Sequence, residues 1–536
     1  MTNHPFKTGI SREQPSFLPP RVEDYIDRSN PVRAIDAFVD AANLEKLGFR
    51  HPGSGGGPGQ PPYDPADLLK LYLYGYVQRI RSSRSLEREA CRNVELMWLI
   101  KGLTPGYRTI ANFRKENWAA LKAANREFVL MARELGLLGG EVVAIDGAFF
   151  DGNASKASIT TRNKLAERLA ALDGDIEAYQ ATLTENDAAE DAQAPVDAAV
   201  GADIGQKIAA LMAKRGQVQA DLARLEASGE TQLSRTDKDA RLLSKSGQVV
   251  AGYNVQIAVD EKYKLIVASE VVNDGNDTGQ LHKMAKAAKD ELEAETLTAL
   301  ADTGYYNCNA LKACEDNGIL AYVPQAKRTA RLKAQGRISH EEFAYDADND
   351  VYRCPAGQLL SPSKARKINT GGRVEIRYTS RKADCGACAL RSRCLSAKTP
   401  TRTIQRWEHE AVLERYRLRM KNAQVQMRRR AELAEHPFGT LKCRAGYRHF
   451  LLRGFNKVRG EWSLMALCYN LSRALKVLGM EALMAYFGKR AGQFSCLRLL
   501  RALAGAIRAS RTLPERICIV IRAAFQNSAV GPKAAA

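Results

Sequence analysis

The 536-residue sequence has no apolar run of the ~20 residues that a membrane-spanning helix needs. Its most apolar stretch, Trp462 to Phe487, is interrupted by Asn470, Arg473, Lys476 and Glu481. Met1 to Lys7 is polar and lacks an apolar signal core, which points to a cytoplasmic protein. A disulfide framework is missing as well. The cysteines number 11, an odd count in a long chain, which leaves metal binding or ordinary burial. Acidic residues are the minority charge: 60 Asp and Glu face 80 Lys and Arg, for a net charge of +20 and a pI near 9.4.

What is present is an ordinary globular composition, 45% hydrophobic and 26% charged, which excludes wholesale disorder. The length predicts about two to four domains. The positive excess is concentrated. From Arg406 to Ala536 there are 25 Lys and Arg against 8 Asp and Glu, so this quarter carries +17 of the +20. Concentrated charge reads as a surface for a polyanion, nucleic acid first.

Residues 1–140 read as helical. Asp64-Pro65 is a helix start, with Asp as cap and Pro in the first turn, and Leu68 to Tyr74 suggests a buried helix. Further helices are expected from Ser85 to Ile100 and from Tyr107 to about Ala120, across a turn at Gly102 to Gly106. Helix, turn and helix is compatible with a DNA-reading pair or with a plain bundle. Arg79, Arg81, Arg84, Arg88, Arg92, Arg108, Arg114 and Lys115 are its candidate phosphate contacts.

Glu141 to Gly147 then reads as a strand and turn. Leu165, Leu169, Leu172, Ile176, Tyr179 and Leu183, then Ile204, Ile208, Leu211, Val218, Leu222 and Leu225, keep heptad spacing across an acidic, Ala-rich middle. This predicts an antiparallel helical hairpin with a flexible tip, a spacer or dimer contact. Strands return at Tyr253–Val259 and Leu265–Val271. Asp277 with Gln280 reads as a capping box for a helix bearing Leu281, Met284, Ala288 and Leu292 on one face. A strand ending in Asp302, a helix from Asn307 to Asn317 and a strand from Leu320 to Val323 follow. The order is that of a mixed α/β layer.

Asp146 and Asp302 both close apolar strands in turn-like contexts, Asp-Gly and Asp-Thr-Gly. One such Asp reads as a turn residue. Two in one sheet can meet, and close carboxylates repel unless a cation lies between them; Mg²⁺ suits such hard oxygen donors. Downstream, Arg428, Glu435 and Lys442 stand seven apart, nearly two helical turns, and share a face if the helix resumes after Pro437.

Asp146 in Ile-Asp-Gly, Asp302 in Ala-Asp-Thr-Gly-Tyr-Tyr and Glu435 in Glu-His-Pro-Phe-Gly-Thr-Leu-Lys resemble the DDE transposases of bacterial insertion sequences. Ser234-Arg235-Thr236-Asp237 and Gly252-Tyr253-Asn254-Val255-Gln256 are similar to the same branch, and the resemblance runs from about Pro19 to about Met484. One pattern departs. Where the wider group has Tyr-x2-Arg-x3-Glu-x6-Lys, this chain has Arg428 and Ala431 before Glu435 and Lys442, with Arg430 one place from the expected Arg. The tail after about Phe487 matches nothing in the group.

The resemblance implies an α/β fold with a ribonuclease H-like mixed sheet core, an all-α N-terminal domain, a helical-hairpin insertion and a Cys-containing insertion. The expected division is 1–140 for the helical DNA-binding domain, 141–160, 236–326 and 406–484 for the core, 161–235 for the hairpin, 327–405 for the four-Cys insertion and 485–536 for a basic tail. It further implies DNA strand cleavage and transfer at the element's terminal inverted repeats and at target DNA, by a homodimer or higher oligomer when DNA-bound. Asp146, Asp302 and Glu435 would hold two Mg²⁺ or Mn²⁺ ions, and Arg428, Arg430, Lys442 and Arg444 would grip phosphates. A cellular nuclease or resolvase on this core, and a DNA-binding protein with a retired site, are the alternatives.

Cys354, Cys385, Cys388 and Cys394 lie in a segment rich in Lys, Arg and Gly. They suit a structural Zn²⁺ that staples a loop lacking a core, ahead of four unligated thiols and then an iron–sulfur cluster. The other seven cysteines, among them Cys91, Cys314 and Cys468, are expected to be buried.

Overall fold

Asp64 opens the first long apolar helix by accepting a bond from Ala66 N at 2.8 Å, with Pro65 in the first turn where its missing N–H costs nothing. The chain is described here as a computed structural model covering residues 20–49, 61–191, 198–245, 247–325, 335–369 and 372–509. It gathers into two units, one from Arg114 to Asn470, the other from the residues up to Phe113 with those from Leu471 onward.

The second of these is helical. It holds α1 (Val32–Ala41), α2 (Pro65–Val77), α3 (Ser83–Arg92), α4 (Val94–Leu99) and most of α5 (Tyr107–Glu116). Lys70 on α2, 3% exposed, is matched by Asp36 at 2.6 Å and Asp40 at 2.8 Å, which is what lets a buried ammonium persist. Two expected helices are each divided by an asparagine. Asn93 ends α3 and caps α4, accepting from Glu95 N and Leu96 N. Asn117 separates α5 from α6 (Trp118–Glu134). Cys91 is exposed, contrary to expectation, because α3 buries Leu86 and Ala90 on its other side; Cys314 and Cys468 are buried.

The larger unit is built on a six-stranded sheet. Its strands are β1 (Val142–Asp151), β4 (Arg241–Lys245), β5 (Gln248–Asp260), β6 (Ile266–Val272), β7 (Leu297–Leu300) and β8 (Ile319–Tyr322), in the order β4-β5-β1-β7-β8 with β6 also paired to β5. β1 is antiparallel to β5 and parallel to β7, and β7 is parallel to β8. Side chains alternate across a strand. Val143 and Ile145 therefore enter the main core, under α9 (Leu281–Leu292), α10 (Cys308–Asp316) and α13 (Glu410–Met420). Ala144 faces the other way, against Leu433 and Ala434 of α14 (Gln424–Phe438).

Between β1 and β4 the chain forms β2 (Ile159–Thr161), α7 (Arg162–Asp191), α8 (Ala198–Ser228) and β3 (Gln232–Ser234). α7 and α8 pack through Leu165, Leu172, Val218 and Leu225, with Arg215 bound to Asp173. Arg215 thus uses the vacant heptad slot for an ion pair. The tip, residues 192–197, lies outside the described residues.

The Cys-bearing segment corrects an expectation. It is not a loop without a core. β9 (Ala344–Asp346), β10 (Val351–Arg353), β11 (Leu359–Ile368), β12 (Val374–Ser380) and β13 (Thr403–Trp407) form an antiparallel sheet over Phe343, Tyr352, Leu360, Tyr378 and Ile404. β10 to β13 each supply one buried residue to this core, and most of their outward positions are polar or basic, which hides the core in the sequence. Arg114 is also corrected. It is 5% exposed and lies 3.9 Å from buried Glu461, so it offers no surface for a phosphate. The last helix, Phe455–Ala509, is broken at Gly479, where φ is +79°. The remaining tail, 510–536, lies outside the described residues. Among those described, no helix is long and apolar enough to cross a membrane.

Candidate active site

The parallel pairing of β1 and β7 sets Ala144 opposite Leu300. Asp146 stands two residues past the first and Asp302 two residues past the second, so one register brings both carboxylates to the same place. Asp146 is not at a strand end as expected. β5, thirteen residues long, continues the ladder to Asp151 opposite Gly252, so Asp146-Gly147 lies mid-strand at the point where β7 stops. Asp146 shares the face of Ala144 and hence of α14.

Asp302 caps a short 3₁₀ turn, Thr303–Tyr305, its Oδ1 accepting from Gly304 N at 2.9 Å. Asp146 Oδ1 accepts from Gly147 N at the same distance. Between the two carboxylates comes Arg430 of α14, its guanidinium 3.2 Å from Asp146 Oδ1 and 4.0 Å from Asp302 Oδ2. The side chains of Asp146, Asp302 and Arg430 are 16%, 30% and 18% exposed, so the cluster is half-dry and electrostatics in it are stronger than at the surface. The Arg430 Nε is buried with no hydrogen-bond partner among the described residues.

Behind the pair lies Tyr305, fully buried, whose hydroxyl donates to Gln256 Oε1. Burial pushes its phenol well above the usual range, and the carboxylates of Asp277, Asp146 and Asp302 push the same way. Tyr305 therefore stays a neutral donor.

α14 is anchored to β1 by aromatic packing. Phe150 meets Phe438 at 6.2 Å, Phe450 at 5.6 Å and Trp462 at 5.5 Å between ring centres. Pro437 does not end the helix, which runs to Phe438 and continues as a π-helical stretch, Gly439–Arg444. The wider π turn breaks the expected stripe. Arg428 and Glu435 are exposed, while Lys442 donates to Phe149 O and lies 4.4 Å from the Phe150 ring. Arg444 is exposed. Glu435 follows directly on Ala434, which packs on Ala144. Among the described residues, no three His, Cys, Asp or Glu side chains form a group that could hold a metal as they stand.

Sequence reasoning missed two anchoring carboxylates. Asp237, 1% exposed, accepts from the Tyr253 hydroxyl and from Gly454 N at 3.0 Å, and burial raises its pKa. Asp260, fully buried, accepts from Gly139 N and Gly140 N at 3.0 Å and fixes the entry to β1. Asp237 lies in the Ser-Arg-Thr-Asp motif, and a polar residue required inside a core was its only signal.

The four cysteines of the smaller sheet line one cavity of about 30 Å³, with Phe343, Leu360 and Arg402. Cys354 is in the β10–β11 turn, Cys385 and Cys388 lie in and just after α11 (Lys382–Gly386), and Cys394 ends α12 (Arg391–Cys394). Gln358 N donates to Cys354 Sγ at 3.3 Å and Ser380 Oγ lies 3.0 Å from Cys385 Sγ. Burial raises the Cys394 thiol pKa. All four line this one cavity, but as they stand they do not form a metal-holding group.

Two family models match the chain. Residues 20–116 match the model described as Transposase domain (DUF772), and residues 353–475 match the one described as Transposase DDE domain. No curated protein matches. A solved structure, the piggyBac transposase synaptic complex with hairpin DNA, aligns over 92% of this chain and 85% of its own at 8% identity, with a TM-score of 0.29, too low to establish a shared fold. Both matched models describe transposases, and this chain is one. Together the two matches, a transposase domain and a transposase DDE domain, support a DDE transposase of an insertion sequence. The second match includes Arg430 and Glu435, and neither includes Asp146 or Asp302.

Proposed function

We propose that this transposase binds the terminal inverted repeats of its own element, cleaves the DNA there and transfers the strand to a target. The observation that carries this reading is the register of β1 and β7, which sets Asp146 and Asp302 around one cation, Arg430. The strand order β6-β5-β1-β7-β8, antiparallel on one side of β1 and parallel on the other, supports a ribonuclease H-like core. The division of the chain expected above remains part of the proposal.

The pair offers hard oxygen donors, already close enough to share a positive charge, and this fits Mg²⁺ or Mn²⁺. Asp146 and Asp302 would hold two such ions with Glu435, one of two glutamates on α14 that flank the helix's contact with Ala144. Bound there, divalent ions supply Lewis acidity to the attacking and leaving oxygens of an in-line displacement. The chain's own residues do the rest. β1 and β7 fix the carboxylates, and Arg430 neutralises them. Arg428 and Arg444, both exposed, offer cations to phosphate oxygens beside Arg430 and Lys442. No serine or tyrosine nucleophile is required. The four cysteines hold a structural Zn²⁺ in this reading, the DNA-bound form is a homodimer or larger, and the protein acts in the cytoplasm.

The test is cleavage of a plasmid carrying the DNA that flanks the gene, with Mg²⁺, beside Asp302→Asn. Cleavage at the flanks by the wild type alone supports the proposal. Binding without cleavage by the wild type would instead favour a DNA-binding protein with a retired site.

A further inference from the structure

Asp277 has the sequence context of a helix cap, yet it is not the cap of the helix that follows. α9 begins at Leu281 with no side-chain cap, and Gln280 Nε2 donates to Asp274 Oδ2 at 2.7 Å. Asp277 is instead turned inward, 5% exposed, toward two side chains of β5 that are fully buried. Asn254 Nδ2 donates to its Oδ1 at 2.8 Å and Gln256 Nε2 donates to the same oxygen at 2.7 Å. Gln256 Nε2 also reaches Asn254 Oδ1 at 3.0 Å, and its Oε1 takes the Tyr305 hydroxyl. A carboxylate held by two amides, one of them tied to a tyrosine, has a fixed position.

That position is the back of the aspartate pair. Gly147 follows Asp146, and a Cβ there would overlap Gln256 Nε2 and stand 2.8 Å from Asp277 Oδ1. Gly304 donates to Asp302, and a Cβ there would stand 3.6 Å from Asp277 Oδ2. One oxygen of Asp277 thus faces the backbone beside Asp146, and the other faces the turn that orients Asp302. The two glycines leave room for this approach.

We propose that Asp277 is a positioning residue for the Asp146–Asp302 pair, a buried third carboxylate that fixes the strand backbone beside Asp146 and the turn at Asp302 and adds negative charge behind them, so that the pair binds a divalent cation more tightly. This rests on the reading of Asp146 and Asp302 as cation holders. Asp277 itself touches neither the cation nor DNA.

The experiment is calorimetric titration of the full chain with Mn²⁺ alone, for wild type, Asp146→Asn and Asp277→Asn. Asp277→Asn keeps the shape and removes the charge. Its Mn²⁺ Kd should rise about tenfold, the usual scale for a group behind a metal ligand. The Mg²⁺ concentration for half-maximal cleavage should rise by the same factor, while metal-free DNA affinity stays unchanged. A purely structural role would lower the melting temperature and leave the Mn²⁺ Kd in place, and that result overturns the proposal. Should Asp277→Asn fail to fold, Asn254→Ala removes one anchor with the charge intact; a rise of about threefold in Kd is expected, and an unchanged Kd overturns the proposal. If the wild type binds no Mn²⁺ in an Asp146-dependent way, the reading of the pair fails first and this inference falls with it.

Discussion

Replacing Arg430 with methionine removes the guanidinium between Asp146 and Asp302 while keeping an apolar stem of similar reach. At an effective dielectric of ~20, unit charges at the 3.2 Å and 4.0 Å separations attract by roughly 5 and 4 kcal/mol. Desolvation of three partly buried groups offsets most of that. Because none of them is more than 30% exposed, the net loss should exceed the value of a surface pair, and we expect about 2 kcal/mol. Melting in EDTA should then fall by about 3–5 °C for Arg430→Met and by less for Arg430→Lys. Mg²⁺ at millimolar concentration should recover a large part of the loss, because a divalent ion meets the same need for positive charge. Calorimetry of wild type and variants in EDTA and in Mg²⁺ measures both effects. Equal melting of wild type and Arg430→Met in EDTA would refute the reasoning, and so would a deficit that Mg²⁺ does not reduce.

Gly147→Ala should destabilise the larger unit by about 2–3 kcal/mol in chemical denaturation, since the added methyl overlaps Gln256 Nε2 and neither neighbour can retreat from its bonds. Cys385→Ser should lower bound zinc from about one per chain to near none and loosen the five-stranded sheet, as read by elemental analysis and limited proteolysis. Iron in the wild type, or no metal, would count against the zinc reading. DNA affinity should fall steeply with salt, by about 10³-fold or more between 50 and 200 mM if six or more phosphates are contacted, and a shallow response in a binding titration would remove the case for a broad phosphate surface.

Much of the larger unit was legible in the sequence. Short β-branched runs gave β5 and β6, a short apolar run ending in Asp gave β7, and heptads gave the α7–α8 hairpin, because these patterns are local. Asp302 was found as the polar residue closing an apolar run. What could not be read was pairing. Asp-Gly at 146–147 looks like a turn, and only the length of β5 carries β1 through it. Asp277 looks like a cap, and only the amides of Asn254 and Gln256 turn it inward. Arg428, Arg429 and Arg430 were indistinguishable in sequence. The helix face sends Arg429 to Glu261 and Arg430 to the aspartates. Pro437 suggested a break, whereas the helix passes through it and relaxes into a π turn. The core of the Cys segment was hidden because each short strand contributes so little to it.

The central claim is that Asp146 holds a divalent cation needed for DNA cleavage. Its most direct test is Asp146→Cys, assayed on the flanking DNA in Mg²⁺ and in Mn²⁺. A thiolate is a poor ligand for Mg²⁺ and an acceptable one for Mn²⁺. We predict no cleavage in Mg²⁺ and partial recovery in Mn²⁺; undiminished cleavage in Mg²⁺ would contradict the account.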